Sequence, residues 1–387
     1  MPPTISIVQT RLHHFRVPFY QILHGMLAEK GIRLVLIHGE PSVDEATRQD
    51  SGHLAWATTI NNRRLSVGDI ELVWQPCLHL LSSSDMVVVQ QENKLLLNYI
   101  LLLGRQFHRG KLAFWGHGMN CQSPNPNGMR ERWKRLFTRL PDWWFAYTDF
   151  TKETLLATGV PAGRITVVNN AVDTSSLRAW LASITEEEID SLRRCHGLSG
   201  YNAGIYCGSL YEHKRIGFLV EAAERIRAAV RDFELIIVGA GPDAGKAMEA
   251  GRRNPWIHYV GPQSGRAKAA FLKLGRVSLM PGAVGLAILD SFAAGLPLIT
   301  TDCGLHGPEI SYLRQGRNGL STANSMDDYV AAVVRTLQDR QLLSSLSRCC
   351  VADGNSYTIE DMARRFAGGV VEALGTEAEH IQRGAIS

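Results

Sequence analysis

The stretch Met280-Pro-Gly-Ala-Val-Gly-Leu-Ala-Ile-Leu-Asp-Ser-Phe-Ala-Ala-Gly-Leu-Pro297 decides how this chain of 387 residues is read. An apolar run, Val277–Met280, ends in a loop carrying Gly282 and Gly285, and an apolar helix-like segment opens near Gly285. At such a strand-to-helix turn, backbone N–H groups lack intrahelical partners and the positive end of the helix dipole favours an anion. Asp290 falls on the first turns of that helix, where a carboxylate can accept hydrogen bonds from both hydroxyls of a ribose. Taken alone, the stretch also suits a plain turn, with Gly285 a packing glycine and Asp290 a dipole-favourable acid.

Two neighbouring stretches tilt the balance toward nucleotide binding. After the strand Ile205–Cys207 comes Gly208-Ser209-Leu210-Tyr211-Glu212-His213-Lys214-Arg215. Gly208 lets backbone approach a ligand, and Lys214 at the next helix start can neutralise a phosphate. After the strand Leu235–Val238 comes Gly239-Ala240-Gly241-Pro242, a partial dinucleotide fingerprint that fits a plain strand–helix turn equally well. Three phosphate-compatible loops at successive strand ends favour a bound nucleotide, with Gly208, Ser209, Lys214, Gly239, Gly241, Gly285, Leu286 and Asp290 as its candidate contacts.

Working outward, strands alternate with helices along the chain, the pattern of parallel sheets covered by helices. Further strands are expected at Ile5–Gln9, Arg33–His38, Met86–Gln90, Leu112–Trp115, Trp144–Ala146, Ile165–Val168, Ile257–Val260 and Leu298–Thr301. Helices are expected at Val17–Leu27, Lys94–His108, Ile216–Val230 and Leu286–Ala294, and no strand between Asp173 and Gly200. The fold class is α/β, with two Rossmann-like units joined near Val172 and ligands beyond the carboxyl ends of the strands.

Composition bounds the rest. The chain is 45% hydrophobic and 20% charged, which excludes long disorder, and its length suits two domains. Its 41 basic and 37 acidic residues divide unevenly: residues 1–172 hold 18 and 13, leaving 23 and 24. An anionic partner would therefore prefer the N-terminal half. The start lacks a basic n-region followed by a long apolar run, and Leu95–Leu103 is too short to span a bilayer. Seven scattered cysteines without a C-x-x-C spacing read as reduced thiols rather than a zinc site or disulfide framework. A soluble, cytoplasmic protein is the expectation.

The order Gly208…Lys214, Gly239-Ala240-Gly241-Pro242 and then G-L-A-I-L-D-S-F-A-A-G-L-P resembles the C-terminal domain of retaining nucleotide-sugar glycosyltransferases of family 4, which have the GT-B fold. Asn169-Asn170-Ala171-Val172-Asp173 is similar to that family's "NGVD" join, and Tyr357–Met362 to the start of its last helix. The resemblance implies an acceptor domain at 1–172, a donor domain at 173–360, and a helix at 361–387 crossing back to the first domain, with a central cleft. It also implies a nucleoside-diphosphate sugar as donor, no cofactor, no metal, and transfer with retention. Lys214 keeps its family place. Of two family glutamates eight positions apart, one is replaced by Asp290 and the other by Gly282, and Ser209 stands where many relatives have arginine.

In the N-terminal half, Pro18 suits the first turn of a helix, which puts Arg11, His13 and Arg16 at the carboxyl end of the first strand. The arginines there can meet phosphate and His13 can carry a proton; solvated loop charges fit as well. His117 lies between Gly116 and Gly118 after a strand and resembles the family's cleft histidine, which implies a catalytic contact with the donor sugar. Gln91-Glu92-Asn93 suits the acceptor side, or helix capping by Asn93. Residues 130–140 carry Trp133, Leu136, Phe137 and Leu140 at helical spacing beside five basic residues. That segment suits either an anionic membrane surface or ordinary core packing. The membrane reading implies a lipid-linked glycan acceptor at the inner face of the membrane, as for bacterial surface-glycan enzymes. No extended basic face with interleaved aromatics suggests nucleic acid. Two rivals stay open: a sugar-nucleotide epimerase and a non-catalytic nucleotide-sugar-binding subunit.

Overall fold

The computed structural model describes residues 2–41, 51–68, 70–104, 110–118 and 137–375. The chain divides into two compact units, Met1–Asp173 with Ile359–Ser387, and Thr174–Thr358. Each is a sheet of parallel strands with helices between them, the arrangement its alternating sequence dictates.

The first unit contains β1 (Thr4–Gln9), β2 (Arg33–Gly39), β3 (Thr58–Ile60), β4 (Arg63–Val67), β5 (Ile70–Trp74), β6 (Met86–Gln90), β7 (Lys111–Gly116), β8 (Trp143–Ala146) and β9 (Ile165–Val167). Seven of them form one sheet in the order β3-β2-β1-β6-β7-β8-β9, while β4 and β5 pair as a separate antiparallel ribbon. Ile5 sits opposite Leu34 on one side and Met86 on the other, and all three are buried. Burial on both faces explains the unbroken apolar run Met86–Val89 of β6 and the complete burial of Ser6 within β1. The helix Ile359–Leu374 belongs to this unit: Phe366 stacks on Phe145 with ring centroids 3.9 Å apart. Gly369 lets that helix approach β9, since a Cβ there would meet the Thr166 side chain.

The second unit contains β10 (Asn202–Cys207), β11 (Phe233–Val238), β12 (Ile257–Gly261), β13 (Val277–Leu279), β14 (Leu298–Thr301) and β15 (Gly319–Thr322), ordered β12-β11-β10-β13-β14-β15. The chain winds one way from β10 to β12 and the other way from β13 to β15. The loops after β10 and β13 therefore flank the point where strand order reverses, the place where open α/β sheets bind ligands. Buried Glu234 on β11 accepts from the backbone N–H groups of Ser199 (2.9 Å) and Gly200 (2.7 Å), and its other oxygen lies 3.1 Å from His258 Nε2. Burial opposes its charge, but these bonds outweigh it and hold the carboxyl below the usual range.

The helix Ala287–Ala293 buries Ile288, Leu289 and Phe292, and Ser291 Oγ donates to Ser278 Oγ on β13 at 2.9 Å. It ends in a Schellman motif, with Gly295 at φ +66°, Leu296 N–H on Ser291 O (2.8 Å) and Gly295 N–H on Phe292 O (3.0 Å). Between Asp173 and Gly200 lie two helices, Ser175–Ser183 and Glu186–His196. Three features were not anticipated from sequence: β3, the β4–β5 ribbon and β15. Helix Leu96–Leu103 is shorter than expected at its start, and its N-cap is Leu95 rather than Asn93. Residues 105–109, the far end of that expected helix, lie outside the described residues, as do 130–136 of the basic aromatic segment.

Candidate functional site

The site is built from three loops at the carboxyl ends of β10, β13 and β14. The loop after β13 is held from the β10 side. The Ala283 N–H donates to His213 O at 2.8 Å, and the Lys214 ammonium donates to Ala283 O. Gly282 is required by this approach: a Cβ there would run into the His213 carbonyl oxygen and the Lys214 backbone. The room a side chain at position 282 would need is filled by the His213–Lys214 backbone.

Lys214 is partly buried, and burial pushes its pKa down to about 8 against the pull of Glu309 and Cys303. An anion next to it would further favour its charged form. Arg215 does not join it, because its guanidinium is committed elsewhere. Its backbone is left-handed (φ +57°), and its guanidinium donates to Asn324 Oδ1 (2.6 Å), Thr301 Oγ1 (3.1 Å) and Pro281 O (3.3 Å). It is a strut between the ends of β13 and β14.

Beyond Val284 the backbone opens. The N–H groups of Gly285, Leu286 and Ala287 have no acceptor among the described residues, all three residues are partly exposed, and nothing stands near a Cβ built on Gly285. Asp290 lies one turn further on and pairs with Lys268 Nζ at 2.6 Å, with both side chains mostly buried. Burial lowers the Lys268 pKa, but Asp290 outweighs it and holds the ammonium above its ordinary range. Asp290 thus presents a carboxylate already shared with a cation, and Lys268 is a site residue the sequence reading missed.

The first two glycine loops take different roles. Gly208 is partly exposed and Ser209 exposed, and Ser209 O accepts from Tyr206 Oη at 2.6 Å. Gly239 and Gly241 have φ of +146° and +151°, and Cβ atoms there would collide with Gly208 O and Leu210 O. The room their missing side chains leave is taken by the β10 loop, so they shape that loop rather than face open space.

In the first unit, Arg16 is buried and committed. Its guanidinium donates to Asn170 Oδ1 and to Ala171 O (3.3 Å), and lies over the rings of Trp115 and Tyr147 at 5.4 and 5.9 Å. The arginine expected at an acceptor phosphate instead clamps the segment of the NGVD-like join. Arg11 is also buried, and His13 stacks on Phe15 at 5.1 Å. His117 is exposed, edge-on to Tyr147 at 4.6 Å. Gln91 Nε2 donates to Gly118 O and Thr138 Oγ1, both at 3.2 Å, fixing the backbone next to His117. Among the described residues, no cluster of three or more His, Cys, Asp or Glu could hold a metal ion, and no helix is long and apolar enough to cross a membrane.

Residues 202–339, most of the second unit, match the family described as Glycosyl transferases group 1. No curated protein matches the chain by sequence. Solved structures match it over nearly its whole length. HepE from Anabaena in complex with UDP is 12% identical, with a TM-score of 0.69 covering 95% of this chain and 99% of that one. The lipopolysaccharide outer core galactosyltransferase WaaB is 17% identical, with a TM-score of 0.64 and coverage of 95% and 99%. The pneumococcal O-GlcNAc transferase GtfA in complex with UDP and GlcNAc is 12% identical, with a TM-score of 0.66 and coverage of 96% and 99%. At such identities the likeness speaks to fold. The chain has the GT-B fold of these structures, and its residues 202–339 match the glycosyl transferases group 1 family.

Proposed function

We propose that this protein transfers a sugar from a nucleoside-diphosphate sugar to a hydroxyl of a glycan or lipid-linked glycan, with retention and without a metal. The observation that carries the proposal is the placement of Lys214 beside the unpartnered N–H groups of Gly285, Leu286 and Ala287 at the reversal point of the second sheet. An ammonium and a row of backbone donors suit the charge that develops on a departing diphosphate. Asp290, steadied by Lys268, is assigned to the ribose hydroxyls, and exposed Ser209 and Gly208 to the edge of the diphosphate. Support comes from the group 1 match and from relatives of the same fold that hold UDP.

Retention implies attack from the face the diphosphate leaves, with a phosphate oxygen taking the acceptor proton. His117, exposed at the end of β7, is assigned to a donor-sugar hydroxyl, and Arg11 and His13 to the acceptor side. The protein acts in the cytoplasm, at the inner face of the membrane if residues 130–140 bind an anionic leaflet. The filled position at Gly282 favours one second reading, a subunit that binds nucleotide-sugar without turnover. One experiment separates them: a panel of nucleotide-sugars is screened by thermal shift, since the right donor raises the melting temperature by mass action. Release of nucleoside diphosphate on adding glycan acceptors supports the transferase. Binding with no release for any acceptor supports the subunit, and no binding defeats both.

A further inference from the structure

His306 plays no part in the site as described so far, yet it grips the loop that carries the unpartnered donors. It is buried at 8% exposure, five residues past the end of β14. Val284 N–H donates to its Nδ1 at 3.1 Å, and its Nε2 lies 2.8 Å from Thr301 O. A carbonyl can only accept, so Nε2 carries the proton, and Nδ1 presents the lone pair that Val284 N–H needs. The next residue completes the hold, because Gly307 N–H donates to Val284 O at 2.8 Å. Both backbone polar groups of Val284 are thus held by residues 306 and 307, and the imidazole ties the end of β14 to the loop after β13.

This fixes which donors remain. The Ala283 N–H is taken by His213 O and the Val284 N–H by His306, so beyond them the N–H groups of the partly exposed Gly285, Leu286 and Ala287 are left without an acceptor among the described residues. Without the imidazole, Val284 keeps only the Gly307 bond to its carbonyl, and the loop that sets the direction of the following amides is held less tightly. We propose that His306 is a positioning residue that orients the Gly285–Ala287 amides toward the donor diphosphate. The assignment rests on the donor site proposed above.

Two variants test it. In His306→Asn the side-chain oxygen falls near the place of Nδ1 and can still accept from Val284; in His306→Leu it cannot. By amide-resolved NMR of the full chain, Val284 N–H is expected to exchange slowly in wild type and His306→Asn and at least tenfold faster in His306→Leu, as fits the loss of about one hydrogen bond. The nucleotide-sugar KM is expected to rise about tenfold in His306→Leu, with a smaller fall in kcat, and to recover most of the way in His306→Asn. Equal Val284 protection in all three proteins overturns the assignment, as does equal KM in the two variants. If wild type binds no nucleotide-sugar, the donor site fails, while the Val284 exchange still decides whether His306 is the brace.

Discussion

Replacing Lys214 with methionine should make the protein more stable and less active at once. The lysine pays for its position: burial lowers its pKa to about 8, against about 10.4 in an unfolded chain. Between those values the unfolded state binds more protons than the folded one, so this residue makes stability rise with pH from about 8 to about 10. Below about pH 8 the cost is fully present and amounts to at most about 3 kcal/mol. Methionine removes that cost but also the bond to Ala283 O, which is worth about 1–2 kcal/mol. Urea denaturation at pH 7 should therefore show the variant about 1–2 kcal/mol more stable than wild type, the advantage falling through zero and turning into a deficit of up to about 1–2 kcal/mol as pH rises to about 10. Release of nucleoside diphosphate should be lost. A variant less stable than wild type at every pH, or one with wild-type turnover, refutes the reasoning.

Three further outcomes follow from the same geometry. Gly282→Ala should cost about 1–3 kcal/mol in denaturation, because its Cβ must displace the His213–Lys214 backbone, whereas Gly285→Ala should change stability by less than about 1 kcal/mol. Asp290→Asn should raise the nucleotide-sugar KM severalfold and destabilise by about 1 kcal/mol. Its sign follows from Lys268: a raised folded pKa gives stability present below the unfolded value of about 10.4 and lost as pH rises through the folded one, so the variant's deficit should fade in alkali. Arg16→Met should destabilise by about 2–4 kcal/mol by leaving Asn170 and Ala171 without their buried donor; a stable variant with weakened acceptor binding would return Arg16 to the acceptor site.

The sequence made most strands of both sheets legible because parallel strands buried on two faces demand continuous apolar runs, as at Met86–Val89 and Leu235–Val238. It concealed β15, only Gly319–Thr322, and the ribbon Arg63–Trp74, whose charged residues mask a strand period. Lys214, Gly285 and Asp290 stood out because a local pattern of strand, glycine and helix start marks them. Lys268 and His306 did not, because each acts on a residue 22 positions away, and only the pairing of β13 with its neighbours brings them together. Arg16 misled for a related reason: an arginine on a loop is usually solvated, and its burial depends on the join segment 154 residues later. Gly239 and Gly241 were seen as phosphate glycines because a fingerprint cannot tell a ligand's approach from that of another loop.

The central claim is that a donor diphosphate binds the open amides after Val284. Hydrogen–deuterium exchange of peptides covering residues 281–290 tests it most directly, measured with and without whichever of UDP, GDP and ADP stabilises the protein. The amides of Gly285, Leu286 and Ala287 have no acceptor among the described residues and should exchange fast in the free protein, then become protected with nucleotide, while the Gly239–Gly241 turn is unchanged. Nucleotide binding with no protection in 281–290, or no binding by any of the three, would contradict the account.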